Sequence, residues 1–421
     1  MRTFLSLVIV ASLAFLVGCG GGGSGSTPVG VPTGGGGGTP TGSGNTLPIA
    51  VDGGPVANTI YPNGAFTSVT ICNPGTTTCQ TIDGILVDTG SFGLRILASE
   101  ITLTGLETFT SGSSTLYNCI QFVGSTYLWG TAAVADVEMA GEKASSATIQ
   151  VIADPTGFNI PTNCSNGGID DDSQLGLGAN GILGIGPEPF DCGLACDPNG
   201  GNPFPPEPFY YLCSTGTTCT AAFQTLNQQV VNPVVFFATD NNGTIVELPA
   251  LSGAAATESG SLIFGIGTQT NNQIPANATI FTLDQFDTFS VTYKGVTYNS
   301  STNPPTPSFI DLGSNGLFFQ DATIPECTDV TDFYCPTSLL ALSAVNQGTN
   351  AATSTVDFSI DNADNLFAAG NGADAAFSTL GGPSGGGFDY GLPFFFGRNV
   401  FTAIDGAALP SGAPAAPWWA Y

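Results

Sequence analysis

Three patterns of hydrophobic and polar positions follow one another along the chain. Behind the short basic start Met1-Arg2-Thr3, residues Phe4 to Val17 form a predominantly apolar run. Gly20 to Asn45 is almost wholly Gly, Ser, Thr, Pro and Val, and cannot bury a core. From Leu47 onward, short apolar runs are interrupted every few residues by Gly, Pro, Asn, Ser or Thr. Ile85-Leu86-Val87, running straight into Asp88-Thr89-Gly90, is one example. Runs this short, bounded by turn formers, predict many short strands and a mainly β fold with few helices, one of them near 218 to 230.

The first two patterns are read as targeting. Leu16-Val17-Gly18-Cys19 closes the apolar run in the form of a bacterial lipobox. The run is shorter than the ~20 residues a spanning helix needs, so 1–18 is expected to be a lipoprotein signal peptide. By resemblance to lipoproteins, Cys19 carries the lipid and becomes the mature N-terminus. Residues 19–46 are then a flexible tether with a reach of the order of 30 Å. Gly20, rather than Asp, implies delivery through the general export route to the outer membrane of the cell envelope. The remaining ten cysteines fall in near neighbours: Cys72/Cys79, Cys119/Cys164, Cys192/Cys196, Cys213/Cys219 and Cys327/Cys335. Five disulfides fit an oxidising exterior. Cys192 and Cys196 are spaced like metal ligands, but without His or a CxxC the expectation is disulfides and no metal.

Composition then narrows the chemistry. The 421 residues hold 5 Lys+Arg against 32 Asp+Glu, no His, and a net charge of −27. Nucleic acid is excluded as a partner by that charge, and Ser-His or Cys-His nucleophile pairs by the missing His. Carboxylates remain as the acid–base equipment, and no cofactor is implied. Lys143 and Lys294 sit at strand turns, a poor setting for a Ser-Lys pair. Trp418-Trp419 is expected to cover a core edge. Once residues 1–18 are removed, the basic residues are Arg95, Lys143, Lys294 and Arg398. A fully protonated chain would therefore repel itself little in acid.

An internal repeat organises what is left. Ile85-Leu86-Val87-Asp88-Thr89-Gly90-Ser91-Phe92-Gly93-Leu94 is echoed by Phe309-Ile310-Asp311-Leu312-Gly313-Ser314-Asn315-Gly316-Leu317. Each copy is followed, at a similar distance, by an apolar pair ending in Gly: Ile182-Leu183-Gly184 and Phe395-Phe396-Gly397.

With these motifs in this order, the chain from Pro48 to its C-terminus resembles the pepsin-like aspartic proteases. It is also similar to a bacterial lipoprotein family of unknown function that carries the same motifs. Pro233–Phe237 and Gly260–Gly265 look like strands near the family's lobe crossover. The resemblance implies a mainly β, bilobal, pepsin-like double β-barrel with an interlobe cleft. Its lobes would be 47–240 and 241–421. Asp88 and Asp311 would be the catalytic pair, one from each lobe, sharing a proton because two adjacent carboxyls cannot both ionise. Thr89, Gly90, Ser91, Leu312, Gly313 and Ser314 would support them. Ile182, Leu183, Gly184, Phe395, Phe396 and Gly397 would lie behind them. The implied protein is a monomeric cell-surface endopeptidase acting on extended peptides and held to the membrane through Cys19.

Two departures are visible. Leu312 stands where the family has Thr or Ser, and Leu has no hydroxyl to cross to the other loop. The flap's Tyr-Gly is missing, leaving Phe122 and Tyr127 as candidates. These departures keep open a catalytically weak or inactive module that binds peptides or envelope partners. Asp170-Asp171-Asp172 and Asp361 to Asp374 leave a third reading, a calcium-stabilised surface β protein, although neither matches an EF-hand loop. Solvated loops are the expectation for both stretches.

Overall fold

The computed structural model describes residues 44–421 apart from 58, 123–125, 154–158, 206–207 and 215–218. The expected signal peptide, Cys19 and the expected tether up to residue 43 lie outside the described residues, as do residues 123–125 after Phe122. Among the described residues no helix is long and apolar enough to cross a membrane.

The chain is mainly β, with a large mixed sheet of 18 strands and three smaller ones among the described residues. Thr46–Val51 pairs antiparallel with Glu258–Phe264 over six residues. Glu258–Phe264 continues to Gly243–Leu248, then to Arg398–Ala403, Trp418–Ala420 and Ile280–Thr282. Thr46–Val51 also joins Ala65–Cys72. The large sheet therefore runs across the expected boundary at 240/241. Trp418 and Trp419 lie within it, both buried.

Five disulfides form, in the five near-neighbour pairs expected from the sequence. Cys72 and Cys79 face each other across a hairpin, as do Cys213 and Cys219. The second of these overturns the helix expected near 218 to 230. Cys219–Ala221 is instead a strand against Tyr210–Ser214, followed only by a 3-10 turn at Leu226–Gln228. A crosslink directly opposite Cys213 holds this segment extended. Pro233–Phe236 is likewise a 3-10 turn rather than a strand, started by Asn232, whose side chain accepts from the Val234 N–H. Gly260 to Phe264 do lie in a strand.

The two Asp repeats build the same three-strand unit. Cys79–Asp88 lies parallel to Gly181–Ile185, which in turn runs antiparallel to Phe92–Leu97. Likewise, Ser308–Ile310 lies parallel to Phe388–Tyr390, which runs antiparallel to Leu317–Phe318. A distant strand thus enters between the two arms of each Asp loop.

In the second unit that strand does not hold the apolar pair ending in Gly. Phe395, Phe396 and Gly397 lie just past it, after a 3-10 turn at Leu392–Phe394. Phe396 bridges to Leu248, and Gly397, with φ of 78°, leads into Arg398–Ala403. Pro393 explains the shift: it fixes φ and removes an N–H, so Leu392-Pro393-Phe394 turns instead of extending. The inserted strand is Phe388-Asp389-Tyr390, whose central charge hides it in a hydrophobicity pattern.

Beneath the first unit, Arg95 is wholly buried and pairs with Asp191 at 3.2 Å. Arg95 also donates to Asn118 and Gln150, and Tyr210 donates to Asp191. This network fixes Phe92–Leu97 against the strands that lead to the hairpin tip.

Candidate active site

Each Asp ends a buried strand at a tight loop, and each loop satisfies its own carboxyl. Asp88 Oδ1 accepts from the Gly90 N–H at 2.7 Å, and Oδ2 accepts from the Ser91 hydroxyl. Asp311 Oδ1 accepts from the Gly313 N–H at 2.8 Å, and Oδ2 from the Ser314 hydroxyl at 2.9 Å. An Asp-x-Gly-Ser turn makes these contacts locally, because the side chain reaches the amide two residues on.

What brings the loops together is close packing at the two glycines. A Cβ at Gly90 would sit 2.6 Å from Asp311 Cγ, and one at Gly313 would sit 2.7 Å from Asp88 Oδ1. Each carboxyl therefore lies on the backbone of the opposite loop. Thr89 ties the loops from one side: its hydroxyl donates to the Ile310 carbonyl at 3.2 Å and accepts from the Leu312 N–H at 2.9 Å. Leu312 makes no return bond; its side chain is fully buried in the main apolar cluster.

Asp88 and Asp311 are each 1% exposed. Burial, followed by the charges of Asp88 and Asp389 and a hydrogen bond to Asp88, pushes Asp311 well above the usual carboxylate range. Ser314 opposes this without reversing it. Two carboxyls held this close cannot both ionise, so the pair shares one proton.

Ile182, Leu183 and Gly184 are buried directly behind the first loop, with Gly184 in register with Asp88 and Gly93. Phe122 packs with Phe66, Leu86 and Ile182, and Tyr61 joins the same cluster. Tyr127 lies on the opposite face of its hairpin, with Tyr117, Trp129 and the Cys119–Cys164 disulfide. Strand alternation separates the two, since Phe122 follows the even positions 120 and 128 and Tyr127 follows 119 and 129. Tyr127 therefore does not face the Asp pair.

The family model described as DUF3443, protein of unknown function, matches residues 41–421. The chain belongs to the DUF3443 family. No curated protein matches it. The DUF3443 match takes in both Asp loops, both inserted strands and all ten disulfide cysteines, and begins beyond Cys19.

Three residues of this DUF3443 site were not legible in the sequence. Tyr61 is half-buried, stacks edge-on against Phe66, and keeps its phenol oxygen buried without a hydrogen-bond partner. Burial, with the charges of Asp311, Asp88 and Asp171, raises its pKa far above the phenol range, so it remains a proton donor. Asn63, at φ of 55°, donates to the carbonyls of Asn315 and Phe377 and so clamps the Tyr61 segment beside the second loop. Asp389 is the third. Of the three, only Asp389 had a signal, as a charge between two aromatics in a segment otherwise rich in apolar residues and glycine.

The acidic stretches divide. Asp171 is buried rather than solvated; burial raises it to about 6, against the Thr126 hydroxyl and with the Asp172 charge. Asp361 sits beside a strand end and Asp364 in the short helix Ala363–Ala368. The acid-and-sulfur groupings among the described residues, Cys72/Cys79/Glu138 and Cys327/Cys335/Asp364, use cysteines already joined in disulfides, which offer no thiolate. Lys143 pairs with Asp136 and Glu138, and Lys294 with Asp321. Five disulfides mark the protein as extracytoplasmic.

Proposed function

We propose that this protein is an aspartic endopeptidase-like hydrolase of the bacterial cell envelope, anchored through a lipid on Cys19. In this reading 47–240 and 241–421 are two pepsin-like lobes, and extended peptides lie in a cleft between them. The observation that carries it is the mirrored carboxyl pair. Asp88 and Asp311 each accept from the Gly N–H and Ser hydroxyl of their own loop and lie against the glycine of the other. Two independent loops have no structural need to oppose buried carboxyls, which repel unless they share a proton.

The chemistry follows from that sharing. A water between the carboxyls gives its proton to the ionised member of the pair as its oxygen attacks the peptide carbonyl carbon. The protonated member gives its proton to the carbonyl oxygen, producing a neutral tetrahedral diol. As the C–N bond breaks, the newly protonated carboxyl gives its proton to the leaving nitrogen and the other carboxyl takes a proton from a diol hydroxyl, which restores the carbonyl and the shared proton. In this reading Tyr61, which feels the charges of both carboxyls, stands in for the missing Tyr-Gly.

The test is hydrolysis of a denatured protein between pH 2 and 6, with and without a statine-type inhibitor. Asp88→Asn and Asp311→Asn should each lose about 10²–10⁴-fold in rate while remaining folded. An Asp88→Asn protein as active as the parent would remove the dyad. A second reading, a peptide-binding module without cleavage, is favoured by Leu312 and by the 1% exposure of both carboxyls. Binding of the inhibitor with no hydrolysis anywhere in that pH range selects this second reading.

A further inference from the structure

Asp389 occupies the middle of the strand inserted into the second Asp loop. It is in register with Phe309 on one side and Phe318 on the other. Phe309 and Asp311 are two residues apart on their arm of the loop, so Asp389, Phe309 and Asp311 share one face. Phe388 and Tyr390 are fully buried on the other face, in the aromatic cluster with Phe319 and Phe394.

Asp389 itself is 1% exposed, and neither of its carboxyl oxygens has a hydrogen bond of normal geometry. Among the described residues, the side-chain donor acting on it is the Ser314 hydroxyl, and no cation does. That hydroxyl is already committed to Asp311 Oδ2 at 2.9 Å. A hydroxyl has one proton to donate but two lone pairs with which to accept. An ionised Asp389 would therefore be dry, without a donor of its own, and close to two other carboxyls. A neutral Asp389 can instead donate to the Ser314 oxygen, which leaves the Ser314 proton fixed on Asp311.

We propose that Asp389 is a positioning residue of the Asp pair: a buried neutral acid that donates to Ser314 and thereby holds the Ser314 proton on Asp311. The proposal rests on the dyad reading above for its consequence in catalysis, but not for its protonation state. The titratable groups around Asp389 are Asp311 and Asp88 on the two loops, with Tyr61 facing that pair. Burial pushes the Asp389 carboxyl well up, the Ser314 hydroxyl draws it down, and the Asp88 charge raises it further. A folded-state pKa above the unfolded one gives stability that is present in acid and lost as pH rises through the folded value.

The test compares the full chain with Asp389→Asn, Asp389→Leu and Ser314→Ala. Infrared difference spectra at pH 7 should show a protonated-carboxyl stretch in the parent that disappears in Asp389→Asn. In Ser314→Ala that stretch should move to higher frequency, because the acid has lost its acceptor. The rise of the unfolding constant between pH 4 and 8 should be shallower in Asp389→Asn by up to about tenfold per pH unit, one proton's worth. Asparagine keeps a donor, so Asp389→Asn should hold kcat within a few-fold of the parent, whereas Asp389→Leu should lower kcat about tenfold at unchanged KM. A parent stretch and pH slope unaltered in Asp389→Asn would overturn the neutral acid, and an unmoved stretch in Ser314→Ala the contact with Ser314. A kcat in Asp389→Leu equal to the parent's would overturn the positioning role. A parent that cleaves nothing counts against the dyad reading alone, since the spectra and the slope still decide Asp389.

Discussion

Replacing Thr89 by Val removes one hydroxyl and leaves the shape of the side chain almost unchanged. Thr89 is 1% exposed, and its hydroxyl serves two backbone groups of the other loop, the Ile310 carbonyl at 3.2 Å and the Leu312 N–H at 2.9 Å. The loss strands a buried donor and weakens a buried acceptor. Each unsatisfied group costs about 1–3 kcal/mol, and the longer contact belongs at the low end, so the total should be about 2–4 kcal/mol. A loss of 2 kcal/mol is roughly a 30-fold fall in the folded-to-unfolded ratio. Because Leu312 offers nothing in return, no second bond cushions the change. The assay is amide hydrogen exchange with the disulfides intact, read at Leu312, alongside urea unfolding. Protection at Leu312 should drop by at least about 30-fold, and Thr89→Ser, which retains the hydroxyl, should restore most of it. An exchange rate at Leu312 unchanged in Thr89→Val would refute the claim that this single hydroxyl joins the loops.

Two further changes probe the same region. Gly90→Ala places a methyl 2.6 Å from Asp311 Cγ, a carboxyl held on both oxygens by its own loop. It should destabilise the protein by about 1–3 kcal/mol and abolish hydrolysis; a melting temperature and rate equal to the parent's would show that the loops do not touch. Asp171, raised to about 6, keeps its proton in the fold at pH values where the unfolded chain releases it. Its contribution is therefore present below about pH 4 and lost as pH rises through about 6. Asp171→Asn should flatten the fall in stability between pH 4 and 6 by up to one proton's slope, measured by urea midpoints across that range. An identical slope would place Asp171 in solvent.

Features that depend on near neighbours could be read from the sequence. An apolar pair before Asp-x-Gly-Ser specifies a strand entering a turn whose carboxyl bonds its own amide and hydroxyl, since every partner lies within three residues. The cysteines paired with neighbours in the chain for a related reason: short loops close at little entropic cost, and two of the pairs sit opposite each other in hairpins. The mainly β character followed from the short apolar runs themselves. Misreadings arose where one nearby residue, a crosslinked Cys or a Pro, overrode the pattern of apolar positions. The 218 to 230 stretch has a helix-compatible pattern, but Cys213 holds its start in a hairpin. Phe395-Phe396-Gly397 looks like the inserted strand, yet Pro393 turns the chain first and the buried strand contains an aspartate.

The sequence by itself determined two carboxyl-bearing turns, each complete in its own hydrogen bonds, together with the strands that lead into them and the crosslinks around them. Tertiary structure alone decided that the turns meet. Thr89 and Leu312 are 223 residues apart, and no local preference specifies the contact between them. Packing likewise placed Asp389 beside Ser314, Tyr61 beside the pair, and Tyr127 on the far face of its hairpin. The physical reason is one of range. Turn chemistry and alternation act over a few residues, whereas the desolvation and charge coupling that raise the Asp311 carboxyl exist only once strands distant in sequence have closed around it.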